Sequence, residues 1–456
     1  MDPMTEASVQ EPFAAFKERV NIIFVVDHAG RAGNGFFQTI FDQHPQVIAC
    51  PWMHYVYSYI LTEYGEADDL DARSVWEHWR GTTYFTLLYN DLSEQRRVFI
   101  TQIGGDPDAV LDRRAVRSCF DDVVLREDTI SRRDLIVAIF YSYALGLGRD
   151  THKIRYIMCP ESISLRTESA MTGFSGKVID CVVQDFPDAR LVHLERDPRA
   201  GLASTIHQFV NQLGNMYGLK LGNFWKRLRR LVRRDFDWDS VFVFGFWLIY
   251  FRRTFDAVMK KRAEYGERFL TVRNEDLNLD FSQTVRKLAG DLDIDMLDAW
   301  TKSFQPTMLG RPWTGTGAYN SQYQKSVYGP LRNDPDDVAR KVTGPNAYVT
   351  QRWRDRFGGS EIFIAEALLA PELRAFGYEF LHWRGTPEDD RRLRRVVWKP
   401  LRGELPTPRW VLDGRHLGLK EIADRLFYCI AFPVFYTVSR LVFLSVIRDT
   451  NIFRKP

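Results

Sequence analysis

The apolar positions near the start of the chain predict a buried strand followed by a helix. Residues 22–26 are apolar at every position, which is the pattern of a short strand covered on both faces. A turn rich in glycine follows over residues 30–35. Apolar residues then recur at helical spacing, at Phe36, Phe37, Ile40 and Phe41. The pattern therefore predicts a strand, a glycine turn and a helix before His44-Pro45, where the helix should end.

A second strand and helix are predicted after residue 190. Leu191, Val192 and Leu194 form a short apolar run. Pro198 follows, and proline is favoured in the first turn of a helix. Ser204 lies about two helical turns after Arg196.

Residues 46–152 are expected to form a mostly helical cap region. Two explanations of its many aromatic residues stay open. They could pack between helices, or they could line a binding surface on which sugar rings stack. These residues include Trp52, Tyr55, Tyr57, Tyr59, Trp76, Trp79 and Tyr84. Short apolar runs also predict strands at residues 98–101 and at residues 153–158.

The composition changes after residue 383. Residues 384–410 are basic and contain prolines, and residues 426–447 form an apolar run in which Arg440 is the only charge. That run is long enough to reach across a bilayer, although Pro433 and Arg440 disfavour a simple span. A membrane-surface segment, a helix docked on the domain and a true span stay open. We accordingly expect an α/β domain at residues 1–383, then a basic linker and an apolar, membrane-associated segment at residues 384–456.

The glycine turn has the chemistry of an anion site. Glycines let backbone N–H groups approach an anion, the first turn of a helix offers unpaired donors, and Arg31 adds full charge. The turn is not a Walker A motif, because no Gly-Lys-Ser/Thr follows it. An ordinary turn between a strand and a helix is the alternative.

Taken together, these stretches resemble the family of sulfotransferases that use PAPS (3′-phosphoadenosine 5′-phosphosulfate). The turn Arg31-Ala32-Gly33-Asn34-Gly35 resembles the family's 5′-phosphosulfate loop, usually Arg/Lys-Ser-Gly-Thr-Thr. Arg196 and Ser204 match the two side chains that hold the 3′-phosphate. Residues 271–277 resemble the family's later Arg-Tyr-Glu-Asp-Leu strand end, and residues 351–353 resemble its C-terminal part. The matches occur in the family's order over about residues 20–380.

The resemblance implies a three-layer α/β fold of the P-loop kinase-like type, with a mostly parallel central sheet and helical insertions. It also implies PAPS as co-substrate and no metal. The implied cofactor-binding residues are Arg31, Ala32, Gly33, Asn34, Gly35, Phe36, Arg196, Ser204 and, from a loop that closes over the nucleotide, Arg311.

Two departures from the family pattern bear on activity. Asn34 and Gly35 stand where relatives carry two hydroxyl residues, so two side-chain contacts to phosphate become one amide and none. Many relatives carry Lys-x-Pro before the second site, whereas this chain has Met158-Cys159-Pro160.

Two residues are candidates for the base that takes the acceptor's proton. His54 follows the first helix, where relatives often place an acidic base, and its ordinary pKa near 6.5 suits proton removal at neutral pH. Glu161 follows Pro160 at the end of a predicted central strand, where ligands of parallel sheets bind. The alternatives are that His54 is a structural histidine and that Glu161 is an acid at a helix N-terminus. Arg31 is the third expected catalytic residue, because it can stabilise charge on the leaving group.

Composition adds few constraints. The net charge of +3 gives no case for bulk nucleic-acid binding. Five scattered cysteines without a Cys-x-x-Cys pair argue against a disulfide scaffold or a zinc site. The polar, acidic N-terminus carries no signal peptide, which favours a cytoplasmic enzyme.

We therefore hypothesise sulfuryl transfer from PAPS to a hydroxyl of a carbohydrate or glycolipid, by a cytoplasmic protein that contacts a membrane surface through residues 426–447. The acceptor class rests on the aromatic cap, the basic residues 226–234 and the apolar tail. Two alternatives stay open. One is a non-catalytic protein that binds PAP (3′-phosphoadenosine 5′-phosphate) or another nucleotide, and the other is a scaffold subunit of a membrane complex.

Overall fold

The computed structural model describes most of the chain. The described residues are 11–27, 31–51, 53, 55–82, 85–162, 174–213, 215, 219, 221–222, 244–302, 304–313, 315, 344–401, 404–406 and 418–449. The predictions for Trp52, His54 and Tyr84 concern residues outside this set.

Nine strands and twenty α-helices lie within the described residues, together with 3-10 turns at Thr151–Lys153 and Gly266–Arg268. The strands are β1 (Asn21–Asp27), β2 (Val47–Ala49), β3 (Asp69–Asp71), β4 (Thr129–Ser131), β5 (Tyr156–Ser162), β6 (Arg190–Glu195), β7 (Phe269–Arg273), β8 (Thr307–Met308) and β9 (Arg311–Pro312). The first ten helices are α1 (Phe13–Arg19), α2 (Asn34–Phe41), α3 (Val56–Tyr64), α4 (Ala72–Trp79), α5 (Thr86–Tyr89), α6 (Glu94–Gln102), α7 (Arg113–Val124), α8 (Arg132–Gly146), α9 (Phe174–Asp185) and α10 (Pro198–Leu213). The others are α11 (Phe244–Tyr265), α12 (Asn274–Leu279), α13 (Phe281–Leu292), α14 (Asp298–Lys302), α15 (Ala347–Gln351), α16 (Trp353–Arg356), α17 (Gly359–Leu368), α18 (Ala370–Ala375), α19 (Pro387–Val396) and α20 (Leu419–Asp449).

The central sheet has five parallel strands in the order β2-β5-β1-β6-β7. From β1 the chain passes to the edge strand β2, returns to place β5 between these two strands, and then adds β6 and β7 on the other side of β1. The order therefore reverses between β1 and β6. In open parallel sheets, ligands bind in the crevice beyond the carboxyl ends of the strands at such a reversal. This crevice is formed by the loop after β1 and by the residues after β6.

The predicted buried strands are confirmed, and burial explains their sequences. Residues 22–26 of β1 are fully buried, because β5 and β6 pair with both edges of the strand and helices cover its faces. In β6, Leu191, Val192 and Leu194 are also fully buried. Neither apolar run alternates between apolar and polar residues, as expected for a parallel sheet that is covered on both faces.

The strand predicted at residues 98–101 is wrong, since these residues lie within helix α6. Ser93 explains the difference: its hydroxyl accepts a hydrogen bond from the backbone N–H of Arg96 at 3.4 Å and so caps the helix. Glu94 follows in the first helical turn, where an acidic side chain is favoured. The helix-start signal of Ser93 and Glu94 therefore outweighs the β-propensity of residues 98–101.

The apolar run near the C-terminus forms a long helix, α20, which packs against α11. Its buried side chains Tyr428, Phe432 and Phe443 share a core cluster with helix α17 and with residues 393–401. Among the described residues, one helix is long and apolar enough to cross a membrane, and it is the Leu419–Leu441 part of α20.

Candidate active site

The loop after β1 holds a left-handed backbone that brings it against the start of α2. Gly33 has φ 111° and is the N-cap of this helix, and Arg31 has φ 66°. A Cβ atom on Gly33 would lie 2.2 Å from Asn274 Nδ2, so both the backbone angle and the close approach require glycine. Among the described residues, no side chain caps α2. The first N–H groups of α2 are therefore left for another acceptor.

Asp27, the last residue of β1, ties this loop to the sheet. Its Oδ2 accepts a hydrogen bond from the backbone N–H of Ala32 at 3.1 Å and another from Asn34 Nδ2 at 3.3 Å. The amide of Asn34 is thus turned toward Asp27, and it braces the loop. Phe36 packs its ring against Phe304 and Trp313. Because its ring is used in packing, Phe36 can offer an anion only its backbone N–H.

The two sequence motifs meet at this loop. Arg196 follows β6 and is buried, and its Nη1 donates to the backbone carbonyl of Arg31 at 2.8 Å. Ser204, on α10, is also buried, and its Oγ accepts from Arg31 Nε at 3.3 Å. Sequence-distant Arg31, Arg196 and Ser204 therefore form one cluster, as the motif comparison predicts.

Arg196 is held by backbone carbonyls and keeps one unused donor. Its Nη2 donates to the carbonyl of Val349 at 3.2 Å, while its Nε is buried without a hydrogen-bond partner among the described residues. Glu275 is the carboxylate that most favours the charged form of Arg196, and its oxygens accept hydrogen bonds from the N–H of Asp197 at 3.0 Å and the hydroxyl of Tyr378 at 2.8 Å. Arg196 thus keeps donor capacity at Nε for a ligand bound beside it.

Two further arginines, Arg352 and Arg356, join the cluster from the short helical segment that includes α15 and α16. The pKa of Arg352 lies well below its usual value because the group loses hydration and because Arg356, Arg196 and Arg31 are close. Loss of hydration, followed by repulsion from Arg196, also lowers the pKa of Arg31 to about 10. Four guanidinium groups therefore repel one another around the glycine loop. Such a concentration of positive charge is suited to a ligand with several negative charges.

In the sequence, Arg352 stands out only through the family resemblance, and Arg356 is not predicted as a site residue. One signal could have identified both residues. They are four residues apart, so they fall on one face of a helical segment.

Glu161 lies near the end of β5, where it pairs in register with Val26 of β1. The side chain is fully buried, and neither carboxylate oxygen has a hydrogen-bond partner of good geometry among the described residues. Burial raises the pKa of Glu161 to about 8, although the Ser58 hydroxyl and the N–H groups of Ser58 and Tyr57 favour the charged form. The carboxyl group therefore faces the N-terminus of α3 and is mostly protonated at neutral pH.

The structure places Arg311 apart from the arginine cluster. It lies on the β8–β9 hairpin and is exposed, with its Nε 3.9 Å from Asp106 Oδ2. The hairpin is anchored to the C-terminal end of α2, because the N–H groups of Leu309 and Gly310 donate to Asp42 at 2.9 and 2.8 Å. A cofactor contact by Arg311 stays a prediction.

Met158 and the aromatic cap contribute packing. Met158 is fully buried within the core cluster, where the charge of a lysine would be costly. In the cap, Tyr57 and Trp79 are buried, and Trp76 Nε1 and the Tyr89 hydroxyl both donate to Asp121 at 2.7 Å. These described aromatic residues therefore serve the core.

The next residue after His54, Tyr55, has φ 64° and is close enough to Arg31 to favour its charged form. Tyr55, the N-cap of α3, therefore lies beside the glycine loop. A group of three or more His, Cys, Asp or Glu residues that could hold a metal ion is absent from the described part of the chain.

Comparison with known proteins agrees with this geometry. Residues 23–298, more than half of the chain, match the model of the sulfotransferase family. No curated protein matches the chain by sequence.

Solved structures with a similar fold include two sulfotransferase domains, one from the curacin biosynthetic pathway and one from the Synechococcus PCC 7002 olefin synthase. Each is 13% identical to this chain, with a TM-score of 0.42, and each alignment covers 80% of this chain. The alignments cover 100% of the curacin domain and 97% of the olefin synthase domain. The sulfotransferase STF9 from Mycobacterium avium is 14% identical, with a TM-score of 0.34, and the alignment covers 82% of this chain and 83% of STF9. The match over residues 23–298 shows that the chain belongs to the sulfotransferase family.

Proposed function

We propose that this protein transfers a sulfuryl group from PAPS to a hydroxyl of a carbohydrate or glycolipid. The observation that carries the proposal is the convergence of Arg31, Arg196, Arg352 and Arg356 on the glycine loop. Asp27 favours the charged form of Arg31, and Glu275 and Asp197 favour that of Arg196, yet the pKa values of both arginines stay lowered, so a bound polyanion would stabilise the cluster further. PAPS carries a 3′-phosphate and a 5′-phosphosulfate, so its charge matches this need.

The residues divide into two sets by their positions. Arg196 and Ser204 are assigned to the 3′-phosphate, with the unpaired Nε of Arg196 as an available donor. The N–H groups of Gly35 and Phe36, with Gly33 allowing close approach, are assigned to the 5′-phosphosulfate. Arg31 reaches Ser204 and therefore lies between the two sets.

The reaction is an in-line displacement at sulfur. The acceptor oxygen forms a new S–O bond, the S–O bond to PAP breaks with its electron pair staying on PAP, and the hydroxyl proton passes to a base. Arg31 and the loop N–H groups stabilise the charge that builds on the leaving oxygen. Glu161 and His54 are the candidates for the base. With a pKa of about 8, Glu161 in its ionised form is a stronger base than an ordinary carboxylate.

The acceptor proposal rests mainly on the tail. The described aromatic residues of the cap are largely packed in the core, which weakens the case for a sugar-stacking surface there. The exposed apolar face of α20 supports an amphiphilic acceptor presented at a membrane, such as a glycolipid. We further propose that the protein acts at the cytoplasmic face of that membrane.

A second candidate function is nucleotide binding without transfer. It is favoured by the amide of Asn34, which is directed to Asp27, and by the buried Met158 in place of the family's lysine. A scaffold subunit of a membrane complex is a separate alternative, which stable recovery of the protein in a larger complex without nucleotide would favour.

Radiolabelled PAPS distinguishes these functions. The protein is incubated with the label and a detergent-solubilised glycolipid that has free sugar hydroxyls. We expect labelled lipid from the wild-type protein and none from Arg31→Ala, while Arg73→Ala, an exposed arginine on α4, keeps the activity. Binding of PAP without labelled product from any hydroxyl acceptor would favour the non-catalytic alternative.

A further inference from the structure

One face of helix α20 is an exposed, mostly apolar surface. Ile430 is 78% exposed and Val434 is 63% exposed, and the other exposed apolar residues continue the same stripe at helical spacing. The stripe consists of Leu426, Ile430, Pro433, Val434, Val438 and Leu441. Among the described residues from 426 to 441, every exposed side chain is apolar except Thr437.

The opposite face of α20 is attached to the protein. Tyr428, Phe432 and Phe443 are buried in a core cluster. Arg440 points the same way, and its Nη2 lies 2.5 Å from Glu404 Oε2, with both side chains almost fully buried. The one charge within the apolar run is therefore internal and paired, so the exposed stripe carries none.

Cations flank this stripe. Helix α19 and the residues after it carry Arg391, Arg392, Arg394, Arg395 and Lys399, all exposed. Three acids at the start of α19, Glu388, Asp389 and Asp390, leave an excess of cations over acids in this segment. The backbone carbonyl of Trp398 accepts a hydrogen bond from the Tyr436 hydroxyl, and the N–H of Leu401 donates to Glu404. The end of this basic segment therefore lies directly against α20.

We propose that the apolar stripe of α20 and the cations beside it form a docking surface for an anionic lipid bilayer, with the helix lying in the plane of the membrane. An apolar face bordered by Lys and Arg, with an interfacial tryptophan, is the pattern of a surface-bound helix. Trp398, 40% exposed and next to Lys399, supplies that tryptophan.

Two other occupants fit less well. A membrane span would have to strip α20 from the core and separate Arg440 from Glu404, both of which would then be unpaired. A second copy of the chain in a two-fold dimer would bring the same cations toward one another, because such an interface pairs a patch with itself. An anionic bilayer offers an apolar interior to the stripe and negatively charged headgroups to the cations, so it fits both features.

Vesicle flotation of the full chain tests this proposal. The probes are vesicles of phosphatidylcholine alone and of phosphatidylcholine with phosphatidylserine. We expect binding to the anionic vesicles, weakened by salt, and at least about tenfold weaker binding after Ile430→Glu with Val434→Glu. Arg394→Glu with Arg395→Glu should weaken binding about fivefold or more per charge. Val110→Glu with Leu279→Glu is a matched control, because these residues are 78% and 61% exposed elsewhere on the surface.

Three results would overturn the proposal. The first is absence of wild-type binding to anionic vesicles, and the second is equal binding by the α20 variant and the control. The third is a wild-type dimer in sedimentation that the α20 variant dissociates, without vesicle binding, since the stripe would then be an interface between copies. A thermal shift with PAP, measured on every variant, separates this test from the proposed function, because the membrane surface does not include the arginine cluster.

Discussion

Arg31 Nε lies 3.3 Å from Ser204 Oγ, although 173 residues separate them along the chain. Arg31 follows β1 and Ser204 lies on the helix after β6, and these two strands are neighbours in the sheet. The contact therefore joins the two halves of the site at the point where the strand order reverses. Since Arg196 also donates to the Arg31 carbonyl, a shift of the loop would disturb all three residues.

The loop itself depends on Gly33. We expect Gly33→Ala to lower the free energy of unfolding by about 1–3 kcal/mol, because alanine is strained at φ 111° and its Cβ would collide with Asn274. PAP affinity should fall as well. Gly35→Ala is the control, since its Cβ would meet Trp313 at an ordinary 3.8 Å. Chemical denaturation of both variants provides the measurement, and equal losses would contradict this role of Gly33.

The arginine cluster predicts opposite effects on binding and on stability. Arg352→Met removes one cation from a group of four, so the ligand-free protein should be as stable as wild type or more stable. PAP binding should weaken about tenfold or more, because a charge-assisted hydrogen bond contributes about 1.5–3 kcal/mol. Arg354→Met, an exposed neighbour, should change neither quantity. Unchanged PAP affinity in Arg352→Met, measured by calorimetry, would remove Arg352 from the site.

The raised pKa of Glu161 predicts two pH effects. If Glu161 is the base, turnover at saturating PAPS should rise with a midpoint near pH 8, and Glu161→Gln should lower it by about 10²–10⁴-fold. His54→Ala is the parallel variant. A pH profile that is unchanged in Glu161→Gln would exclude the carboxylate as the base.

The second pH effect concerns stability. Because the folded pKa of Glu161 exceeds the unfolded value, the folded state holds this proton more tightly. Its contribution to the free energy of unfolding is therefore greatest below about pH 4.5, and it is lost as the pH rises to about 8. Glu161→Gln should remove this part of the pH dependence. Denaturation midpoints of the two proteins across this range provide the measurement.

The buried ion pair under α20 makes a prediction that is independent of catalysis. Glu404→Gln leaves the buried charge of Arg440 without its carboxylate and should destabilise the fold by about 3–5 kcal/mol. Glu421→Gln is the control, because its bond to Arg425 at 3.0 Å is within one helix and Glu421 is more exposed. Similar small losses in both variants would show that α20 is not fastened through this pair.

Much of this arrangement could be predicted from the sequence, for identifiable reasons. The fully apolar residues 22–26 and the run at 191–194 specify strands covered on both sides, which is a local property. Pairing Arg196 and Ser204 with Arg31 came instead from the family resemblance, because apolar periodicity does not say which strands are neighbours. The structure confirms the two strands and brings these three side chains together, while their role at a cofactor stays a prediction.

Other features depend on tertiary contacts that no local pattern contains. The bond from the side-chain amide of Asn34 to Asp27, seven positions earlier on the strand, is one such contact, and the cofactor contact expected of Asn34 stays a prediction. The inward direction of Arg440 could not be inferred, since its partner Glu404 lies 36 residues away in a segment without regular spacing. Arg356 was missed because its importance comes from the three other cations beside it.

The measurement that tests the central claim most directly is the binding of PAP against adenosine 5′-phosphate, which lacks the 3′-phosphate. We predict that PAP raises the melting temperature much more than adenosine 5′-phosphate does, because it binds the folded state more tightly. Arg196→Ala should erase the difference, while Arg190→Ala, at the other end of the same strand, should keep it. Equal stabilisation by the two nucleotides in the wild-type protein would contradict the assignment of Arg196 and Ser204 to a 3′-phosphate.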